Sequence, residues 1–304
     1  MNLKKYFLIG ITFIVLSTTN SFALGSDENK KIYSSKYITN YLFGSILHDE
    51  NQHNLAANNL RKNFKLQGKH LDYDIKYVTS LIIDGKFEEA RQYVFLLDKT
   101  HSKIFLFNFL KSIFYLKNKE YEKALTEINK ANSRDRLFIE LKNSLIFWID
   151  LELTKKKKKN LVQNFKSDNS PGITLINQFL ASKYIDDKNL YSSYNEQILS
   201  SDNYARYKIL SAWNESKDGQ KENSLKILKS ALVKNNQNVL LKQSFKNFRS
   251  NNYKIANYFN SKKINHNLSE IFYLFSNFYQ QRNDILFSNL LLSVSLEFNK
   301  SFLS

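Results

Sequence analysis

Hydrophobic positions recur at helical spacing along most of the chain. In KFEEARQYVFLLDK (Lys86–Lys99), Phe87, Ala90, Val94 and Leu97 fall at the three- and four-step intervals of one helix face. EYEKALTEINKANS (Glu120–Ser133) repeats the phrase with Tyr121, Ala124, Ile128 and Ala131. Short polar breaks separate such stretches: HDENQHN at His48–Asn54, DGK at Asp84–Lys86 and KNKE at Lys117–Glu120. Apolar periodicity interrupted this way predicts amphipathic helices joined in hairpins.

The hairpins share one register. Ala56, Ala90 and Ala124 stand at equal intervals, and Leu60, Val94 and Ile128 keep the same spacing. Over residues 37–132 the chain resembles the tetratricopeptide repeat family, whose period is 34. The order of units, opening on YITNYLFGSIL, is similar to secreted or periplasmic repeat proteins of alphaproteobacteria. The resemblance implies antiparallel helices A and B in each unit, with small residues where they cross: Gly44, Ala56, Ala90 and Ala124. It also implies that helix A lines a concave, partner-binding groove. The expected lining is Tyr41, Ser45 and His48 from the first unit, Thr79, Ile82 and Ile83 from the second, and Phe109, Ile113 and Leu116 from the third. The chain departs from the family pattern in several places. Val78 and Ser112 replace the small helix A residue, Lys111 stands at a usually apolar position, Asn63 replaces a small one, and no unit ends in proline.

Beyond residue 133 the register is lost but helical patterning continues. Leu137–Leu153 reads as a helix and the lysine run Lys155–Lys159 as a solvated turn or helix start. SDNSPGITL (Ser167–Leu175) carries the only proline and reads as a boundary loop. Ser224 in one later unit and Ser288 in the last take the small packing position, and Ser276 precedes Ser288 by the same interval that separates Gly44 from Ala56. The expected class is all-α: about six stacked helix-turn-helix units in a tetratricopeptide-like solenoid. The expected segments are a signal peptide at 1–23, an extension at 24–36, three repeat units at 37–133 and a divergent helical-repeat region at 134–304. The last unit is strongly apolar, and a solenoid needs a polar terminal cap. Its end is therefore expected to dimerise or to be covered by a partner, unless the array is a shortened one.

Composition agrees with helix. There are one proline and seven glycines in 304 residues. Cysteine is absent, which excludes disulfides and thiolate chemistry. The formal charge is +17, and the alternative function it suggests is binding of a polyanion: anionic lipid, wall polymer or nucleic acid. The basic residues are mostly lysine and are spread along the chain, so nucleic acid is not the favoured partner. The N-terminus, MNLKKYFLIGITFIVLSTTNSFALG, has Lys4 and Lys5, an apolar run from Phe7 to Leu16, and Ser21 and Ala23 at a small-x-small site. This predicts a cleaved secretory leader and a periplasmic or secreted product; the alternative is anchoring in the inner membrane by an uncleaved segment.

Candidate chemistry is sparse. His48 and His53 are spaced by five across a turn, not by the four that suits a helical metal pair. No phosphate loop, dinucleotide motif or nucleophile elbow occurs. Glu88-Glu89 and Asp186-Asp187 fall at helix starts, where acids complement the helix dipole. The expectation is a non-enzymatic scaffold without catalytic residues, metal, cofactor or small-molecule substrate, binding a protein or peptide.

Overall fold

The computed structural model describes residues 34–97, 100–154, 157–167, 170–250 and 259–301. The expected leader at 1–23, the extension up to residue 33, and Lys155 and Lys156 lie outside the described residues. The chain divides between Ile38 and Thr39, and the contacts below are those of the larger unit.

Among the described residues there are fifteen α-helices and no strand. α1 (Ser35–Asp49) pairs with α2 (His53–Arg61), α3 (Leu71–Ile83) with α4 (Phe87–Leu96), and α5 (Phe105–Lys117) with α6 (Tyr121–Lys130). α7 (Arg136–Leu153) leads into the short α8 (Lys158–Asn164), α9 (Pro171–Tyr184) pairs with α10 (Lys188–Ser200), and α11 (Ala205–Lys217) with α12 (Lys221–Lys234). α13 (Val239–Arg249) packs on α11 and α12, and α14 (Ile264–Gln281) pairs with α15 (Ile285–Phe298). Neighbouring helices pack in pairs, as an α-solenoid of helical hairpins does. Among the described residues there are seven helix pairs, and one helix besides, where the periodicity suggests about six.

The turns account for the period. Asn51, Gly85 and Lys119, equally spaced in the same register, all have φ between +61° and +77°. Lys157, Asp186, Gly219 and Asn283 place the same left-handed residue in the other four pairs. After α3 the Lys86 amide donates to the Leu81 carbonyl at 2.8 Å, the closing bond of a helix-ending turn, and Glu120 donates to Tyr115 at 2.9 Å in the next unit. Glycine adopts this backbone without strain at Gly85 and Gly219, and the other five residues do so at some cost.

The small residues sit at crossings. Ala56, Ala90 and Ala124 are fully buried, and Gly44, Ser224 and Ser288 are buried too. A Cβ on Gly44 would stand 2.8 Å from Leu60 Cγ and 3.2 Å from the Leu60 amide nitrogen, so α1 and α2 touch nearly backbone to backbone there. In the last pair, Ser276 and Ser288 each donate a hydroxyl to the other's carbonyl at 2.9 Å; Ser269 and Ser295 do likewise at 2.8 Å. Asp187 caps α10 by accepting from the Leu190 amide at 3.0 Å, so that acid is tied to its helix. Trp148 is fully buried and donates to Asn177 at 2.9 Å.

Candidate functional site

The nine residues expected to line an open groove belong to α1, α3 and α5, the first helices of their pairs. The structure brings them together but does not leave them open. Thr79, Ile82, Phe109, Ile113, Leu116 and His48 are buried, and only Tyr41, Ser45 and Ile83 are partly exposed. Tyr41 donates to Asp72 at 2.8 Å, His48 Nδ1 lies 2.9 Å from the Ser80 hydroxyl, and Thr79 donates to the Ile75 carbonyl at 2.7 Å. The first two contacts pack the first hairpin on the second, and the third lies within α3. The expectation of an open groove on these residues is therefore corrected.

The occupant is the chain's own last hairpin. α15 packs on α3 and α14 packs on α7 and α9, all first helices of their pairs. Phe287 of α15 lies 6.0 Å from Phe109 and 6.4 Å from Phe138, ring to ring. Ile82, Ile113 and Leu116 share one buried cluster with Leu290, Leu291 and Val294. Burial of this apolar surface is worth roughly 25 cal/mol per Å². The hairpin thus buries many of its apolar residues in the same chain, while Ile285 stays 42% exposed.

Charged groups fix the insertion. Arg206 of α11 grips Glu270 of α14 through two bonds of 2.7 Å, with Glu270 only 1% exposed in its side chain. Asp135, ahead of α7, accepts from Tyr279 at 2.7 Å and Arg282 at 2.8 Å. Burial alone would raise the Asp135 carboxyl, but those two donors hold it below the usual carboxylate range. Lys117 reaches Glu297 at 3.2 Å and lies over the Phe298 ring at 5.4 Å.

His48 and His53 stack edge-on at 5.2 Å, both buried. Burial, then the neighbouring ring's charge, pushes His48 down to about 4, and burial also lowers His53. Among the described residues no three His, Asp or Glu side chains cluster as a metal site would require. Of the lysine run, Lys158 faces Glu152 at 3.8 Å and Lys159 faces Asp187 at 3.2 Å.

What remains open is elsewhere. A recess of about 570 Å³ lies where Lys119, Tyr121, Glu152, Tyr184, Lys263 and His266 meet. On the first hairpin, Leu42, Phe43, Ile46 and Leu55 are 53%, 52%, 53% and 50% exposed. α1 turns Gly44, Leu47 and His48 inward, which directs Leu42 and Ile46 to the opposite side. That apolar face was legible in YLFGSIL. The inserted hairpin was signalled only by ILFSNLLLSVSLEF, which has no continuous polar stripe and so must be covered nearly all round. No helix among the described residues is long and apolar enough to cross a membrane. No protein-family model matches the chain, and no curated protein matches it.

Proposed function

We propose that the chain is a non-enzymatic scaffold of the tetratricopeptide type, exported to the bacterial cell envelope, which holds a helix of a partner protein against its first hairpin. The observation that carries the reading is the half-exposed row Leu42, Phe43, Ile46 and Leu55. In inner units such as α5, residues on several sides of the first helix are covered by neighbouring hairpins. α1 packs toward Gly44, Leu47 and His48 only. The chemistry that continues a stack of helices is another helix with its own apolar stripe. Export rests on the leader pattern, with cleavage after Ala23. The polyanion alternative loses support from Lys158 and Lys159, which face acids of the same chain.

A photoreactive phenylalanine placed at Leu42 or Ile46, with Lys229 as an exposed control, tests the site in envelope preparations. Crosslinks from both positions to one helical segment of one protein, absent from the control, are expected. They should disappear when Phe43 and Leu55 are changed to Asp, and persist from about 50 to 500 mM salt. Equal yields at all three positions, products with lipid alone, or loss of the product with salt would overturn the reading.

A further inference from the structure

A second cavity, of about 380 Å³, lies between α10, α11 and α12. Leu199, Ile227 and Ala231 supply its apolar wall, with Asn195, Asn223 and Ser230 as polar neighbours. Its charged lining is Lys208, Lys226 and Glu215. Lys208 is 2% exposed, yet among the described residues its ammonium has neither a hydrogen bond nor an ion pair. Asp202, whose charge acts on Lys208, is already engaged by Lys234 at 3.0 Å. Desolvation, then the charge of Lys234, lowers the Lys208 pKa. The ammonium keeps some exposure at the cavity and, among the described residues, has no counter-charge of its own there, so a guest can supply one. Asn195, on α10, has its amide oxygen buried without a partner among the described residues, so turning that amide toward a guest breaks no hydrogen bond of the oxygen.

We propose that this cavity binds a small organic monoanion, a carboxylate bearing a short apolar group, with the Lys208 ammonium as its counter-charge. The volume falls within the range of small-ligand sites, about 300–1,000 Å³. Two lysines against one glutamate leave one net positive charge, which suits a carboxylate better than a phosphate dianion. Leu199, Ile227 and Ala231 take the apolar group. Lys226, exposed at the cavity, adds long-range attraction. This site is independent of the helix-binding face on α1 and stands or falls separately.

The test uses the full chain and N-acetylalanine as probe, with its neutral methylamide and inorganic phosphate for comparison. Calorimetry is expected to give a Kd at or below about 1 mM for the acid, and at least tenfold weaker binding of the methylamide and of phosphate. Lys208→Met should weaken the acid by at least tenfold while the melting temperature holds or rises. Should that variant fold poorly, the Lys208 ε-methylene signals of the unaltered protein, followed by NMR, should move on titration with the acid. No binding at about 10 mM acid, equal binding of the methylamide, tighter binding of phosphate, undiminished affinity in a folded Lys208→Met protein, or unmoved Lys208 signals would each overturn the proposal.

Discussion

Removing Arg206 should open the inserted hairpin, and the size of the effect follows from Glu270. The carboxylate is 1% exposed and, among the described residues, held only by the two 2.7 Å bonds from Arg206. In Arg206→Ala a buried charge is left unpaired, which costs about 3–5 kcal/mol. Hydrogen exchange of the α14 amides, read by mass spectrometry as the ratio of variant to unaltered protein at one pH, reports local opening. The ratio should be about a hundredfold or more at pH 7. Adding Glu270→Gln to Arg206→Ala should recover most of the loss, because a neutral amide needs no counter-ion. A ratio below about tenfold at pH 7 would refute the argument that a desolvated carboxylate pins the hairpin.

Gly44→Ala should destabilise by about 1–3 kcal/mol, since its Cβ meets Leu60 Cγ at 2.8 Å; denaturant unfolding of the two proteins measures this, and an unchanged midpoint contradicts the backbone contact. Folded-state depression of His48 to about 4, with His53 also lowered, means the unfolded chain binds more protons below the ordinary His pKa near 6.5. Stability is therefore complete above that value and falls as pH drops toward 4; the melting temperature between pH 7 and 4.5 should fall less in His48→Gln, and an equal fall contradicts it. Mass spectrometry of the exported protein should find Leu24 at its N-terminus, and an intact Met1 on detergent-extracted protein would oppose the leader reading.

The all-α class and the first three hairpins were legible because their signals are local. An alanine recurring at one fixed interval, and a polar turn between apolar runs, need no knowledge of distant chain. Lys119 shows how far such reading goes. It takes the left-handed turn position of Gly85, and only the period, not the residue type, could reveal it. Ile82 and Ile113 show where it stops. Their place on the first helices of their pairs follows from the repeat, but the packing of α3, which carries Ile82, on α15 at the far end of the sequence does not, and no pairing pattern in sequence encodes that contact. The apolar excess of α15 signalled that it must be covered, without saying by what. Lys208 was hidden for the opposite reason: one lysine among many in a basic chain carries no mark of its burial.

A linear array of hairpins ordinarily folds by nearest-neighbour steps, so that a fragment is as sound as the whole. The inserted hairpin ends that modularity. Its ties run from Asp135 to Tyr279 and from Lys117 to Glu297, separations of 144 and 180 along the chain. Loops of that length are slow to close and make the last pair a keystone for units built much earlier. At about 5–20 residues per second of synthesis, Lys117 precedes Glu297 by about 10–40 s. Through that interval Phe109 lacks the Phe287 ring it will meet, and α3 lacks the α15 face that packs on it. The nascent chain is thus most adhesive midway through its making, and it is the final hairpin that turns it from a surface for chaperones into a finished protein.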